Sequence, residues 1–212
     1  MSNEITDAIA ELRKDDALKL TQERLDNDED PQAILEEGRI GMEIIGKRFA
    51  DGEYFLPELI YSGEIFSQVS ELVKPKLKAG MASKKLGKVI IGTVAGDIHD
   101  IGKDIVVFML DVSGFEVLDL GIDVPAENFV NKIQETGASV VGLSGFLTLA
   151  FESMKDTIDL IVKEGLRDKV KIMIGGGQID ESIRKYSGAD AYGKDAMTAV
   201  ALAKEWIGEK QK

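Results

Sequence analysis

A chain of 212 residues with 44% apolar content can bury a substantial core, and its length allows two small domains. Its net charge of −12, without a basic or aromatic-rich patch, argues against sequence-independent binding to nucleic acid or anionic lipid. No apolar stretch approaches the ~18 to 20 residues of a membrane span, Met1-Ser2-Asn3-Glu4 lacks signal-peptide character, and the absence of cysteine excludes disulfides and thiol chemistry. The expectation is a cytoplasmic protein with neither nucleic acid nor membrane among its partners.

Near residue 80 the pattern changes from helical spacing to short β-branched runs alternating with amphipathic stretches. The expected division is a helical cap with its linker over residues 1–86 and a second domain over 87–212. In the first part, Ile5, Ile9 and Leu12 open an apolar stripe that Leu18 and Leu25 continue as far as the break at Asn27-Asp28-Glu29-Asp30. Asp30 as N-cap with Pro31 in the first helical position predicts a helix carrying Ile34, Leu35, Ile40, Ile44, Ile45 and Phe49. After a turn at Asp51-Gly52, Tyr54-Phe55-Leu56-Pro57-Glu58-Leu59 leads into a helix through Ile60, Ile65, Phe66, Val69, Leu72 and Val73. That helix is expected to end at Lys78, Ala79 and Gly80, with Ala82-Ser83-Lys84-Lys85 as the linker. The acidic run Asp26, Asp28, Glu29 and Asp30 reads as a solvated turn, and Trp206 as packing.

The second part has five strand and helix alternations. Strands are predicted at Val89 to Val94, Phe115 to Leu120, Ser139 to Ser144, Val170 to Ile174 and Ala189 to Tyr192. Helices are predicted from about Lys103 to Val112, after Pro125, and from near Ala150, Asp180 and Asp195. Such alternation favours a parallel sheet covered on both faces. The expected fold is α/β, an N-terminal helical bundle followed by a flavodoxin-like, doubly wound five-stranded parallel sheet.

The only histidine, His99, lies in Gly96-Asp97-Ile98-His99-Asp100-Ile101-Gly102-Lys103, directly after the first strand. A lone histidine near a strand end is in most proteins simply a satisfied polar residue. Here Asp97 is near enough along a bent loop to fix its tautomer and basicity, as a metal-ligating imidazole requires. A zinc site lacks partners, because there is no cysteine and no second histidine. A phosphohydrolase using His99-Asp100 would need further histidines from other helices. A phosphoacceptor pocket on Asp97 and Asp100 predicts an acidic residue on the third strand, where Ser144 stands.

Open α/β sheets bind ligands beyond the carboxyl ends of the strands, where strand order reverses. Three loops are expected to converge there: Asp97, His99 and Gly102; then Ser144, Gly145, Phe146 and Thr148; then Gly175, Gly176 and Gly177. Asp97-x-His99-x-x-Gly102, 41 residues, Ser144-x-Phe146, 28 residues, and Gly175-Gly176 resemble the vitamin B12 fingerprint of base-off, histidine-on corrinoid proteins. The resemblance covers the sheet domain. The preceding helices are similar to the cap of methyl-transferring members, and the full layout resembles a methyltransferase cognate corrinoid protein. One departure is Phe146, where the family often has leucine, valine or threonine.

The resemblance implies that His99 coordinates cobalt from below through Nε2, displacing the cofactor's own base. Asp97 is implied to accept the Nδ1 proton, and Ser144 to hydrogen-bond Asp97. The nucleotide tail is implied to run past Ser144, Thr148, Gly175 and Gly176 in a slot closed near Tyr192, Gly193 and Ala196. Gly96, Ile98, Asp100, Gly102 and Phe146 complete the implied cofactor contacts. The implied activity is non-autonomous: a methyl group carried on the cobalt of cobalamin or a related corrinoid. The implied partners are a substrate:corrinoid methyltransferase, a methylcorrinoid:acceptor methyltransferase using a folate, pterin or thiol acceptor, and a reductive activase. Residues 54–59 are expected to wall off the methyl face, with residues 82–85 as hinge. A corrinoid-dependent sensor and a B12-dependent mutase subunit share the fingerprint. The first generally adds a DNA-binding domain, and the second usually lacks the helical cap.

Overall fold

The computed structural model describes residues 3–77 and 85–209. The chain forms two compact units, residues 1–84 and 85–212. The expected helix end at Lys78, Ala79 and Gly80, and the linker residues Ala82, Ser83 and Lys84, lie outside the described residues. Lys85, assigned to the linker from sequence, is tied into the second unit: its Nζ meets Asp111 at 3.0 Å and the Phe115 carbonyl at 2.9 Å.

The first unit contains α1 (Glu4–Ala10), α2 (Lys14–Asp26), α3 (Pro31–Ala50) and α4 (Leu56–Val73), followed by a short 3-10 turn. The single stripe expected over Ile5 to Leu25 is two helices. Leu12 adopts φ +58, and the Arg13 amide reaches back to the Ala8 carbonyl at 2.7 Å. A left-handed residue just past a helix end is usually glycine, and a leucine in that place conceals the break. The start of α3 is as expected, with Pro31 in the first turn and the Asp30 carboxylate accepting from the Gln32 amide. Ile5, Ile9, Ile34, Met42, Ile45, Leu59, Ile65 and Val69 form the core. Arg48 ties the bundle together by donating to the Ala10 carbonyl at 2.7 Å and to Tyr54 at 2.9 Å. The segment expected to form a wall therefore divides. Tyr54 and Leu59 belong to the bundle, while Phe55 is 67% and nearby Ile60 65% exposed.

The second unit contains β1 (Lys88–Thr93), α5 (Ile101–Val112), β2 (Glu116–Asp119), α6 (Ala126–Thr136), β3 (Val140–Ser144), α7 (Ala150–Lys163), β4 (Lys171–Gly175), α8 (Glu181–Ser187), β5 (Ala191–Gly193) and α9 (Ala196–Glu209). All strand pairs are parallel, in the order β2-β1-β3-β4-β5. Helices α5 and α9 pack together, and α6, α7 and α8 pack in succession, which covers both faces. This double cover explains the near-continuous apolar runs. Val89 through Ile91 is buried, as are Val140, Val141 and Leu143 and Ile172 through Ile174. Trp206 on α9 is buried as packing. Strand order reverses between β1 and β3, so the loops leaving those neighbouring strands open side by side.

Candidate functional site

Backbone pairing carries the strand ends into the site. The Val94 amide donates to the Ser144 carbonyl at 3.0 Å, and the Gly145 amide to the Gly175 carbonyl at 3.0 Å, so the loops after β1, β3 and β4 are held together. At Gly176, with φ +145, a Cβ would stand 1.8 Å from the Gly145 carbonyl oxygen. Only glycine permits that approach. A Cβ on Gly177 would meet the Phe146 ring at 2.8 Å.

Asp97 is at the centre and is completely buried. Its Oδ1 accepts from the His99 amide at 2.9 Å and lies 2.7 Å from His99 Nδ1. Its Oδ2 accepts from the amides of Phe146 at 2.6 Å and Leu147 at 2.9 Å, which joins the first loop to the third strand's loop. Burial pushes the carboxyl up, but the amides of Leu147, His99 and Phe146 and the His99 ring outweigh it and hold Asp97 well below the usual carboxylate range. An ionised carboxylate only accepts, so the tautomer it selects in a neutral imidazole has the proton on Nδ1 and the lone pair on Nε2.

The His99 side chain is 48% exposed, and among the described residues Nε2 has no hydrogen-bond partner. Its ring lies 4.7 Å from that of Phe146, tilted by 34°. On the same two loops and the start of α5, Ile98, Ile101, Leu147 and Leu149 are exposed. The buried carboxylate thus holds one nitrogen of a ring that lies beside Phe146 and whose other nitrogen is unbonded among the described residues.

The structure brings together Gly96, Asp97, His99, Phe146, Gly175 and Gly176 among the residues singled out from sequence. Ser144 is placed differently from the expectation. Among the described residues its hydroxyl makes no hydrogen bond to Asp97, whose Oδ2 accepts from the amides of Phe146 and Leu147 instead. Thr148 and Asp100 are exposed, and Asp100 does not cap α5 with its side chain. Gly102 opens onto free space. Tyr192 and Ala196 stand at the far edge, separated from β1 by β3 and β4. Tyr192 packs against the core and Ala196 is buried. Sequence reasoning missed Leu147, which acts through its amide and so carries no side-chain signal. It also missed Asp123, whose carboxylate accepts from the Gly96 amide at 2.7 Å.

Two family models, each described as a B12 binding domain, match residues 87–201 and residues 1–74. The chain belongs to the B12-binding family. It is 40% identical to the dimethylamine corrinoid protein of Methanosarcina barkeri over 205 residues, covering 96% of each chain. Among solved structures, it resembles a cobalamin-binding protein from Desulfitobacterium hafniense DCB-2, with TM-score 0.82, 37% identity and coverage of 96% of this chain and 97% of that one. It also resembles a chain of the methanol:cobalamin methyltransferase complex from Methanosarcina barkeri, with TM-score 0.81, 28% identity and coverage of 97% of this chain and 78% of that one.

The residues present fit a B12 cofactor. Among the described residues no three histidine or carboxylate groups cluster to hold a bare ion. A corrin ring brings four nitrogens to its cobalt, so the protein needs to supply only one, and His99 Nε2 is available. The apolar rim suits the face of a macrocycle. At Gly175 a Cβ would have its nearest neighbour at 3.8 Å, which leaves the strand end open for an extended substituent. A phosphoacceptor role for Asp97 does not fit, since the carboxylate is buried and both oxygens are engaged.

Proposed function

We propose that this protein carries a methyl group between a substrate:corrinoid methyltransferase and a second methyltransferase that passes it to a folate, pterin or thiol acceptor. The bound corrinoid supplies a cobalt on which a methyl group is held and released. The carrying observation is the Asp97–His99 pair, a buried carboxylate that fixes the tautomer of a half-exposed imidazole and leaves Nε2 as a ligand. In this reading His99 would hold the metal and Asp97 would orient the imidazole. The loop amides of Phe146 and Leu147 hold Asp97 in place. Ser144, Thr148, Gly175 and Gly176 line the path of the nucleotide tail, with the backbone near Tyr192 and Ala196 at its far end. Gly96, Ile98, Asp100, Gly102 and Phe146 surround the ligand position.

Similarity over nearly the whole chain to the dimethylamine corrinoid protein makes dimethylamine the first donor to test. A reductive activase that restores the low-valent cobalt is a further partner in this reading. The exposed Phe55 and Leu56 of the helical unit support a shielding role for residues 54–59, since an aromatic and aliphatic surface excludes water. A cytoplasmic setting is part of this reading. Among the described residues no helix is long and apolar enough to cross a membrane.

The test is the visible spectrum of protein loaded with hydroxocobalamin and desalted, run beside His99→Ala. The expected result is one corrinoid per chain, with a histidine-ligated spectrum that His99→Ala removes. Protein that retains no corrinoid, or a spectrum indifferent to His99→Ala, overturns the reading.

A further inference from the structure

The segment bearing His99 leaves β1 at Val94 and enters α5 at Ile101 without regular structure between. Its internal bonds are few: the Asp97 amide donates to the Val94 carbonyl at 3.1 Å, and Asp97 Oδ1 accepts from the His99 amide and meets His99 Nδ1. Besides the Phe146 and Leu147 amides on Asp97 and the Thr93 hydroxyl, which donates to the His99 carbonyl at 3.4 Å, support comes at two further points, one from the connection between β2 and α6 and one from the end of β2.

At the first point Asp123 grips the backbone on each side of the residue 96–97 peptide. Its Oδ1 accepts from the Gly96 amide at 2.7 Å, and its own amide donates to the Asp97 carbonyl at 2.9 Å. Asp123 makes both contacts from the left-handed region, with φ +50, beside Gly96 at φ +82. A strained non-glycine residue persists where its surroundings hold it. The next residue supplies the hold, because the Val124 amide donates to the Thr93 carbonyl at 2.9 Å and Val124 bridges to Val94. At the second point the buried Lys103 places Nζ 2.6 Å from Asp119, whose other oxygen takes the Gly121 amide at 2.9 Å. His99 lies between these two fastenings.

We infer that Asp123 is a positioning residue for the metal-ligating loop: by fixing the main chain on both sides of Asp97 it aims that carboxylate at His99 Nδ1. The inference rests on the corrinoid reading above. It assigns to the β2–α6 connection a task that no ligand contact reveals, since Asp123 reaches the cofactor's ligand only through Gly96 and Asp97.

Three variants separate the carboxylate from the backbone strain. Asp123→Gly keeps the left-handed conformation and loses the acceptor, Asp123→Asn keeps an oxygen acceptor and tolerates the conformation, and Asp123→Ala loses both. Each is loaded with hydroxocobalamin, and affinity, visible spectrum and thermal midpoint are read beside wild type and His99→Ala. Loss of a partner that orients a metal ligand typically weakens metal binding by about 10- to 100-fold. A fall of that size is expected for Asp123→Gly, with a spectrum moved toward that of His99→Ala, while Asp123→Asn stays within about threefold of wild type.

Hydrogen exchange at the Gly96 amide of unloaded wild-type protein gives a readout independent of any variant's folding, and protection is expected there. A Gly96 amide that exchanges as fast as an open loop overturns the inference. So does an Asp123→Gly protein with wild-type affinity and spectrum alongside an altered His99→Ala, an outcome that leaves the corrinoid reading standing. Wild-type protein that retains no corrinoid overturns both.

Discussion

Replacing Asp97 by asparagine changes one atom and tests the logic of the site. Oδ1 faces two nitrogens of His99 and Oδ2 faces the amides of Phe146 and Leu147, so no orientation of a carboxamide satisfies all four. With the amide oxygen kept toward Phe146 and Leu147, the new NH2 faces the His99 amide as donor against donor. It also donates to Nδ1, which moves the imidazole proton to Nε2 and removes the lone pair a metal would use. The reversed orientation sets the NH2 against two backbone donors. The loss of a charge-assisted hydrogen bond costs about 1.5–3 kcal/mol, which lowers the thermal midpoint of a unit this size by roughly 5–10 °C. Corrinoid affinity is expected to fall about 10- to 100-fold. Differential scanning calorimetry of the unloaded protein and spectrophotometric titration with hydroxocobalamin measure the two effects separately. An Asp97→Asn protein with wild-type melting and a wild-type histidine-ligated spectrum would show that the carboxylate neither stabilises the loops nor sets the tautomer.

Gly176→Ala is expected to destabilise the second unit by about 2–4 kcal/mol, from a strained backbone and the loss of a neighbouring hydrogen bond, since the new Cβ would stand 1.8 Å from the Gly145 oxygen and force apart the Gly145–Gly175 pairing. Urea unfolding reads this, and an unchanged midpoint would refute the clash. Lys103 gives a pH prediction. Burial disfavours its charge, but hydrogen bonds from its ammonium to Asp104 and Asp119 prevail and raise its pKa above the ordinary 10.5. Its contribution is therefore fully present below about that pH and is lost as pH rises through the elevated value. Above neutral pH, wild type should lose stability relative to Lys103→Met as the lysine deprotonates, and an unfolding difference that stays constant from pH 7 to pH 12 would dismiss the ion pair.

Much of the fold is legible because its signals are local. Asp30-Pro31 marks a helix start through one side chain and one fixed dihedral, and the apolar runs of β1, β3 and β4 declare strands buried on both faces. Leu12 is illegible for the opposite reason, since nothing in a leucine announces a left-handed backbone. Asp97 and His99 are legible as a pair because only Ile98 separates them in a loop that must bend. The resemblance implies a bond from the Ser144 hydroxyl to Asp97, yet the bonds come from the amides of Phe146 and Leu147, which almost any residue type could supply. Asp123 reads as an ordinary acid before Val124-Pro125. Its role arises only when β2 pairs beside β1 and brings together residues 27 positions apart.

Asp97 is wholly buried while the ring it holds is half in solvent. An exposed histidine on a free loop would sample several rotamers, and a ligand would have to select one, at a cost of about 0.5–1.5 kcal/mol for a side chain immobilised on binding. Here folding itself freezes the imidazole, because the carboxylate that anchors it is part of the packed strand ends. The ordering entropy of the ligand is thus charged to the stability of the sheet, and the incoming cofactor meets a ring already preorganised.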